Sequence, residues 1–328
     1  MKRRELLKGI GATAAFTAMP YVQARAQAYP SRPINFVVSF APGGLTDIPA
    51  RILAAQMQKR IGQSIVVENR AGASGVTGGS HVWRADPDGY TLLVNAISEV
   101  QNLFYISVPY NAVTDFAQIG KMTDGPWLLL IVPADSPYKT LAELVADAKK
   151  NSTKLNFSTS GPATSPAIAV SQLNSIEGIN IVQVGYRGTA PAAAAVLASE
   201  VQGAWLWYPA ARQLIETGKV RALAVASPKR FASLPNVPTM KELGYKNFEH
   251  SAFVGLAAPK NTPPDIVSFL NKHLNETIQT EEFRKLIEPL GMTSPEGANT
   301  PDTYAKYMME QTAFQSGLSK LTGAALKR

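Results

Sequence analysis

Apolar residues in this chain gather in short runs separated by amphipathic stretches. Strand-like runs fall at residues 34–40, 64–68, 91–95, 127–132, 155–158, 181–184, 204–207, 220–226 and 251–257, with helical spacing between them. The alternation predicts an α/β fold built on parallel sheets. Helix starts are signalled by Thr140-Leu141-Ala142-Glu143 and Thr239-Met240-Lys241-Glu242, which read as capping boxes, and by Thr262-Pro263, a cap followed by a first-turn proline. Gly218 and Gly244 stand where helices should stop. In the tail, Ile266, Phe269, Leu270 and Leu274 are spaced for one buried helix face.

Residues 115–123 and 248–257 read as extended connections on either side of a self-contained middle block. The chain is therefore expected to cross twice between two domains, 29–120 with 252–328 and 121–251, leaving a cleft between them.

The first 28 residues change this picture, because Lys2, Arg3, Arg4 and Lys8 precede a small apolar run that ends in Ala26-Gln27-Ala28. That layout predicts a twin-arginine-like export signal cleaved after about Ala28, and a periplasmic product. Removing its Lys and Arg residues, with Arg25 and Glu5, lowers the formal net charge from +8 to about +4. The remainder suits small anions and carries no long basic run for nucleic acid. The sequence contains no cysteine, which excludes disulfides, thiolate catalysis and thiolate metal sites.

Ligands of open α/β sheets bind beyond the carboxyl ends of strands, where helix N-termini point. Four loops here occupy that position. The first, Ala41-Pro42-Gly43-Gly44-Leu45-Thr46-Asp47, joins an apolar run to a helix through a Gly-Gly turn that lets the backbone approach an anion. Asp47 sits where a helix cap would, so it is read first as ordering the loop. The second loop carries Asn95 and Ser98. The third, rich in hydroxyls, carries Ser160, Gly161, Ala163, Thr164 and Ser165; the fourth carries Arg187, Gly188 and Thr189 and opens an Ala-rich helix. Together they predict a carboxylate cradle of amides, hydroxyls and one guanidinium, with no cofactor and no metal. An enzyme on the same sheet edges is the rival reading. No nucleophile elbow, phosphate loop, dinucleotide fingerprint or zinc-binding His pair supports it, and His81, His250 and His273 are far apart in sequence.

At these loops the chain resembles the Bug family, the periplasmic solute-binding components of tripartite tricarboxylate transporters. The resemblance is carried by an ordered set. It includes Tyr29-Pro30-Ser31-Arg32-Pro33-Ile34, the first ligand loop, Val66-Val67-Glu68-Asn69-Arg70-Ala71-Gly72-Ala73, Ala85-Asp86-Pro87-Asp88-Gly89-Tyr90, Tyr186-Arg187-Gly188-Thr189-Ala190-Pro191 and Leu234-Pro235-Asn236-Val237-Pro238-Thr239. It implies a type II periplasmic binding fold, two lobes around a ligand cleft joined by two crossover segments. It further implies capture of a small carboxylate for membrane permease subunits; a receptor that feeds a sensor kinase is a third reading, and a monomer is expected. Two departures bear on the ligand. Trp205-Leu206-Trp207-Tyr208-Pro209 stands where the family often has an acidic residue and an amide, and Ser165-Pro166-Ala167-Ile168 where it often has Gln and His. Without an acidic partner a ligand ammonium would be desolvated uncompensated, which disfavours amino acids. Trp207 and Tyr208, aided by Trp205, are expected to pack against an aromatic or otherwise apolar carboxylate, such as a benzene dicarboxylate; an aliphatic di- or tricarboxylate is the alternative. Strand alternation offers another arrangement, with Trp205 and Trp207 in the core and Tyr208 alone at the cleft.

Overall fold

The structure, a computed structural model, describes residues 29–150, 155–231 and 233–321. The expected export segment, residues 1–28, lies outside the described residues. The first part of the chain folds as β1 (Ile34–Val38), α1 (Asp47–Ile61), β2 (Ile65–Asn69), α2 (Val76–Trp83), β3 (Thr91–Ala96) and α3 (Ile97–Tyr105). A long strand, β4 (Phe116–Pro133), leads to α4 (Leu141–Lys150), β5 (Asn156–Thr159), α5 (Ser165–Glu177), β6 (Val182–Gly185), α6 (Thr189–Leu197), β7 (Gly203–Trp207), α7 (Tyr208–Glu216) and β8 (Val220–Val225). The chain returns through β9 (Ser251–Pro259) to α8 (Pro264–Ile278), α9 (Glu281–Ile287) and α10 (Pro301–Leu321).

The nine strands join in the order β2-β1-β3-β9-β4-β7-β5-β6, with β8 also on β4. Parallel pairing, expected throughout, holds only at the two ends, for β1 with β2 and β3 and for β5 with β6 and β7. The centre is antiparallel: β9 lies against both β3 and β4, and β4 against β7 and β8. The reason is the length of β4. Phe116 to Trp127 pairs with β9, and Leu128 to Pro133 then pairs with β7 and β8, so one strand serves both halves of the sheet. The two segments expected as extended connections are paired strands, β9, which the run at 251–257 also predicts, and the first half of β4, which no apolar run predicts. Their register shifts between Asp124 and Trp127, where the chain passes from one half to the other. The result is two lobes carried on one continuous sheet.

Burial accounts for the strand composition. Leu128, Leu129, Leu130, Ile131 and Val132 are all fully buried because helices cover both faces there. Each large apolar side chain so buried contributes about 1.5–3 kcal/mol relative to exposure. On α8, Leu270 and Leu274 are buried and Ile266 and Phe269 pack partly against the same core, which is the expected face.

The capping signals divide. At the start of α4, Glu143 N donates to Thr140 Oγ1 at 3.2 Å and Thr140 N to Glu143 Oε2 at 3.2 Å, the reciprocal pair of a capping box. Thr239 and Glu242 form the same pair at 2.7 and 3.0 Å, yet only a turn follows, because the chain reverses at Gly244 before a second turn can propagate. Thr262 is not the cap of α8. Its hydroxyl donates to Pro259 O at 2.8 Å, and the cap position falls to Pro263. No helix of the described residues is long and apolar enough to cross a membrane.

Candidate functional site

Helices α1, α3, α5, α6 and α7 all begin on one side of the sheet, and residues at or just before their first turns line a common cavity. Thr46 precedes α1; Ile97 and Ser98 open α3; Thr164 and Ser165 open α5; Thr189 opens α6; Trp207 precedes α7. The first amides of an α-helix have no partner within it, and the aligned peptide dipoles place positive potential there. No Lys, Arg, His, Asp or Glu lines this cavity. Its polar character comes from backbone and hydroxyls, among them Thr46 Oγ1, buried and without a hydrogen-bond partner among the described residues. Phe40, Leu45, Ile97 and Trp207 form apolar walls.

The two lobes touch around this space. Gln101 Nε2 on α3 donates to Ser165 Oγ on α5 at 2.8 Å, Ala41 N donates to Arg187 O at 3.2 Å, and Ala163 N points at Ser74 Oγ at 3.4 Å. Two glycines make the approach possible. Gly161 (φ +130°) and Gly188 (φ +145°) hold backbone conformations that strain other residues, and a Cβ on either would meet the opposite lobe, Ser74 Oγ at 2.5 Å or Ala41 N at 3.1 Å.

Of the residues expected at the site, Leu45, Thr46, Ser98, Ser160, Thr164, Ser165, Thr189 and Trp207 line the cavity. Gly161 and Arg187 line an adjoining one. Gly43, Gly44 and Gly188 lie in the loops that meet across the cleft, and Ala163 is buried behind them. Asp47 does not face the cavity. It is buried, and it accepts hydrogen bonds from Gly43 N at 2.8 Å, Asn69 Nδ2 at 2.8 Å and Arg51, so its charge orders the first loop. Burial opposes its ionisation, but the bonds from Arg51, Gly43 and Asn69 prevail and hold its carboxyl below the ordinary range.

Two expected residues are placed elsewhere. Asn95 is buried in a network, donating to Gln118 Oε1 at 3.1 Å and accepting from Tyr304 Oη at 2.9 Å, which ties β3 to β4 and α10. Tyr208 turns away from the cleft because it is the first residue of α7. Its ring packs 4.7 Å from that of Phe231, and its hydroxyl meets Ser233 Oγ at 2.8 Å. Trp205 is in the core, stacked 5.2 Å from Phe248. Of the three aromatics, Trp207 alone lines the cavity.

The residues that the sequence reading missed are Phe40, Ile97 and Gln101, with Ser74 and its neighbours. Phe40 is the last residue before the first loop and Ile97 adjoins Ser98, so both were within reach of a wider reading of the same loops. Glu99 is a further omission. It is buried one turn into α3, where Oε2 accepts from Ala96 N at 2.8 Å and Ser98 Oγ at 2.9 Å; burial pushes its carboxyl up to about 7 despite those bonds.

Comparison with known proteins agrees with this geometry. A family model described as tripartite tricarboxylate transporter family receptor, TctC, matches residues 49–321. Protein BugT of Bordetella pertussis is 34% identical over the full length of both chains. Among solved structures, the periplasmic binding protein BugD superposes with a TM-score of 0.86 at 35% identity, covering 90% of this chain and 99% of its own. MatC from Rhodopseudomonas palustris, solved with bound malate, gives a TM-score of 0.84 at 29% identity and covers 89% of this chain and 100% of its own.

Proposed function

This chain belongs to the TctC family of tripartite tricarboxylate transporter receptors, and on that premise we propose that it captures a small apolar-bodied carboxylate between its lobes in the periplasm. The observation that carries the reading is the convergence of five helix N-termini on one cavity without a charged side chain. A carboxylate there would accept from amides and hydroxyls at the helix starts. Charge-assisted bonds contribute about 1.5–3 kcal/mol each, so three or four reach the roughly −8 kcal/mol of micromolar binding. The family is one of solute receptors, and no step of bond chemistry is needed.

Phe40, Leu45, Ile97 and Trp207 favour an aromatic or otherwise apolar body over a polyhydroxylated one. The lining holds no carboxylate to pair with an ammonium, which argues against amino acids. The malate found in MatC fits the same chemistry of carboxylate recognition. The lobes, 29–120 with 252–328 and 121–251, would close on the ligand because it touches both, and the closed form would be read by the permease subunits of a tripartite tricarboxylate transporter. The test is calorimetric titration of the purified protein with benzoate, terephthalate, malate, citrate and glutamate. Micromolar binding of the aromatic acids is expected. Binding of glutamate in preference to them would overturn the choice of ligand, and no binding of any carboxylate would overturn the reading itself.

A further inference from the structure

Glu99 is a buried acid that no cation pairs with among the described residues. Its Oε2 accepts from Ala96 N and Ser98 Oγ, while Oε1 is buried without a hydrogen-bond partner among the described residues. The titratable groups whose charge bears on it are Tyr110, whose hydroxyl is also buried and unpartnered, and Tyr304 of α10. The other elements packed on α3 supply no compensating charge. On α10, Asp302, Lys306, Glu310 and Lys320 are exposed; α5 has no charged residue before Glu177 at its far end; β3, β9 and residues 73–75 have none; α2 has His81, on its last turn.

The same carboxyl adjoins the ligand cavity. Ser98, which donates to it, lines that cavity. Phe40 lines it too, and a Cβ on Gly75 would meet the Phe40 ring at 3.3 Å and Glu99 Oε1 at 3.4 Å, so the ring and the carboxyl oxygen flank one glycine. Glu99 and a carboxylate at the start of α3 therefore draw on one hydroxyl and one helix N-terminus. With no Lys, Arg or His in the lining to offset it, a second negative charge there raises the proton affinity of the first.

We propose that Glu99 is a ligand-linked proton site: capture of a carboxylate in the cavity places a proton on Glu99, and release of the carboxylate gives that proton back. The inference rests on the proposed function and deepens it. Burial pushes the Glu99 carboxyl up to about 7, so without ligand it is partly charged at neutral pH and has a proton to gain. The sign follows from linkage. A ligand whose capture takes up a proton binds most tightly below about 7, and its affinity declines as pH rises through that value. The ligand strengthens protonation by the same factor by which protonation strengthens ligand binding, and for two charges this close in a partly polar interior that factor is about tenfold.

The test is calorimetric titration of the purified protein with terephthalate, benzoate and malate, acids that are ionised throughout the range from pH 6.5 to pH 8.5. Affinity should fall several-fold across that range. At pH 7, titrations in phosphate and in Tris, whose own ionisation heats differ, should report uptake of up to about half a proton. Glu99→Gln imitates the protonated form, so it should bind at every pH at least as tightly as wild type at pH 6.5 and take up no proton. Infrared absorption of wild type reads the same event without a variant, as a protonated carboxyl gained on binding. Affinity independent of pH with equal enthalpies in both buffers, or linkage undiminished in Glu99→Gln, would overturn the proton site while leaving carboxylate capture intact. Failure of all three acids to bind wild type would overturn both.

Discussion

Ser74 and Gly161 face each other across the cleft so closely that a methyl group on Gly161 would stand 2.5 Å from Ser74 Oγ. Contact at this distance is possible only when the lobes are closed. Gly161→Ala should therefore hold the lobes apart and weaken carboxylate binding at least tenfold, with an added stability cost of roughly 1–3 kcal/mol from its positive φ. Adding Ser74→Gly should restore affinity, while the Gly161→Ala stability cost persists relative to the Ser74→Gly single variant, which itself relieves strain at φ +54°. Calorimetry and thermal unfolding of the two variants separate the effects; no rescue in the double variant would assign the loss to backbone strain.

The Gln101–Ser165 hydrogen bond joins α3 to α5 between the lobes and is buried at both ends. Such a bond contributes about 0.5–1.5 kcal/mol net. Gln101→Ala should lower ligand affinity a few-fold. In a double-variant cycle with Ser165→Ala the loss of the double variant should be smaller than the sum of the two single losses, since both remove one interaction. Fully additive losses would show that the bond does not couple closure to binding.

Asp47 predicts a different pattern, because it acts on the loop and not on the ligand. Its folded carboxyl is held below the ordinary range. A depressed carboxyl adds stability above its unfolded value, near 3.9, and that stability is lost as pH falls through the folded value. Asp47→Asn should thus make the protein less stable at neutral pH and remove part of its acid sensitivity. Urea unfolding at pH 7 and pH 3 measures both, and a variant whose deficit is the same at each pH would refute the assignment.

What was readable in the sequence follows from which interactions are local. Each apolar run falls on a strand, and eight of the nine described strands match their runs within a few residues, since alternation and β-branched composition act locally; β4 begins eleven residues before its run. The antiparallel centre was not readable, because it depends on β4 running through both lobes, and Gly125-Pro126 reads locally as a break without showing that the strand resumes beyond it with other partners. The helix-opening hydroxyls were legible as caps and became site residues where several helices converge. Thr46 and Thr189 came through this route, while Gln101 has no such signal: its role exists only because Ser165 lies opposite. Strand alternation likewise could not place Tyr208, whose direction is set by the switch from β7 to α7 at that residue.

Glu99 gives the protein a pH dependence of opposite sign to that of Asp47. Burial raises its folded value from 4.5 to about 7, so between those values the native state holds a proton that the unfolded chain releases. The stability it provides is complete below about 4.5 and declines as pH rises through 7, by an upper bound of roughly 3 kcal/mol. Glu99→Gln imitates the protonated form, keeping a carbonyl to accept from Ala96 N. Its stability relative to wild type should therefore rise between pH 5 and pH 8. A difference that stays constant over that range would show that the carboxyl titrates normally.

Trp207 and Tyr208 are neighbours in sequence with opposite assignments, and their alanine variants should separate affinity from stability. Trp207 is a wall of the cavity, so Trp207→Ala removes a stacking partner worth about 0.5–1.5 kcal/mol together with buried apolar area. Benzoate affinity should fall about tenfold or more, and malate affinity less. Tyr208 instead fills the space between Phe231 and Gly291, where a Cβ on the glycine would lie 2.8 Å from the tyrosine ring. Tyr208→Ala should cost about 3 kcal/mol of stability through the cavity it leaves, and ligand affinity at low temperature should be unchanged. Stability measured by urea unfolding and affinity measured on the folded fraction make the two outcomes independent. If Tyr208→Ala weakened benzoate while Trp207→Ala did not, the apolar wall would belong to α7 and not to the end of β7.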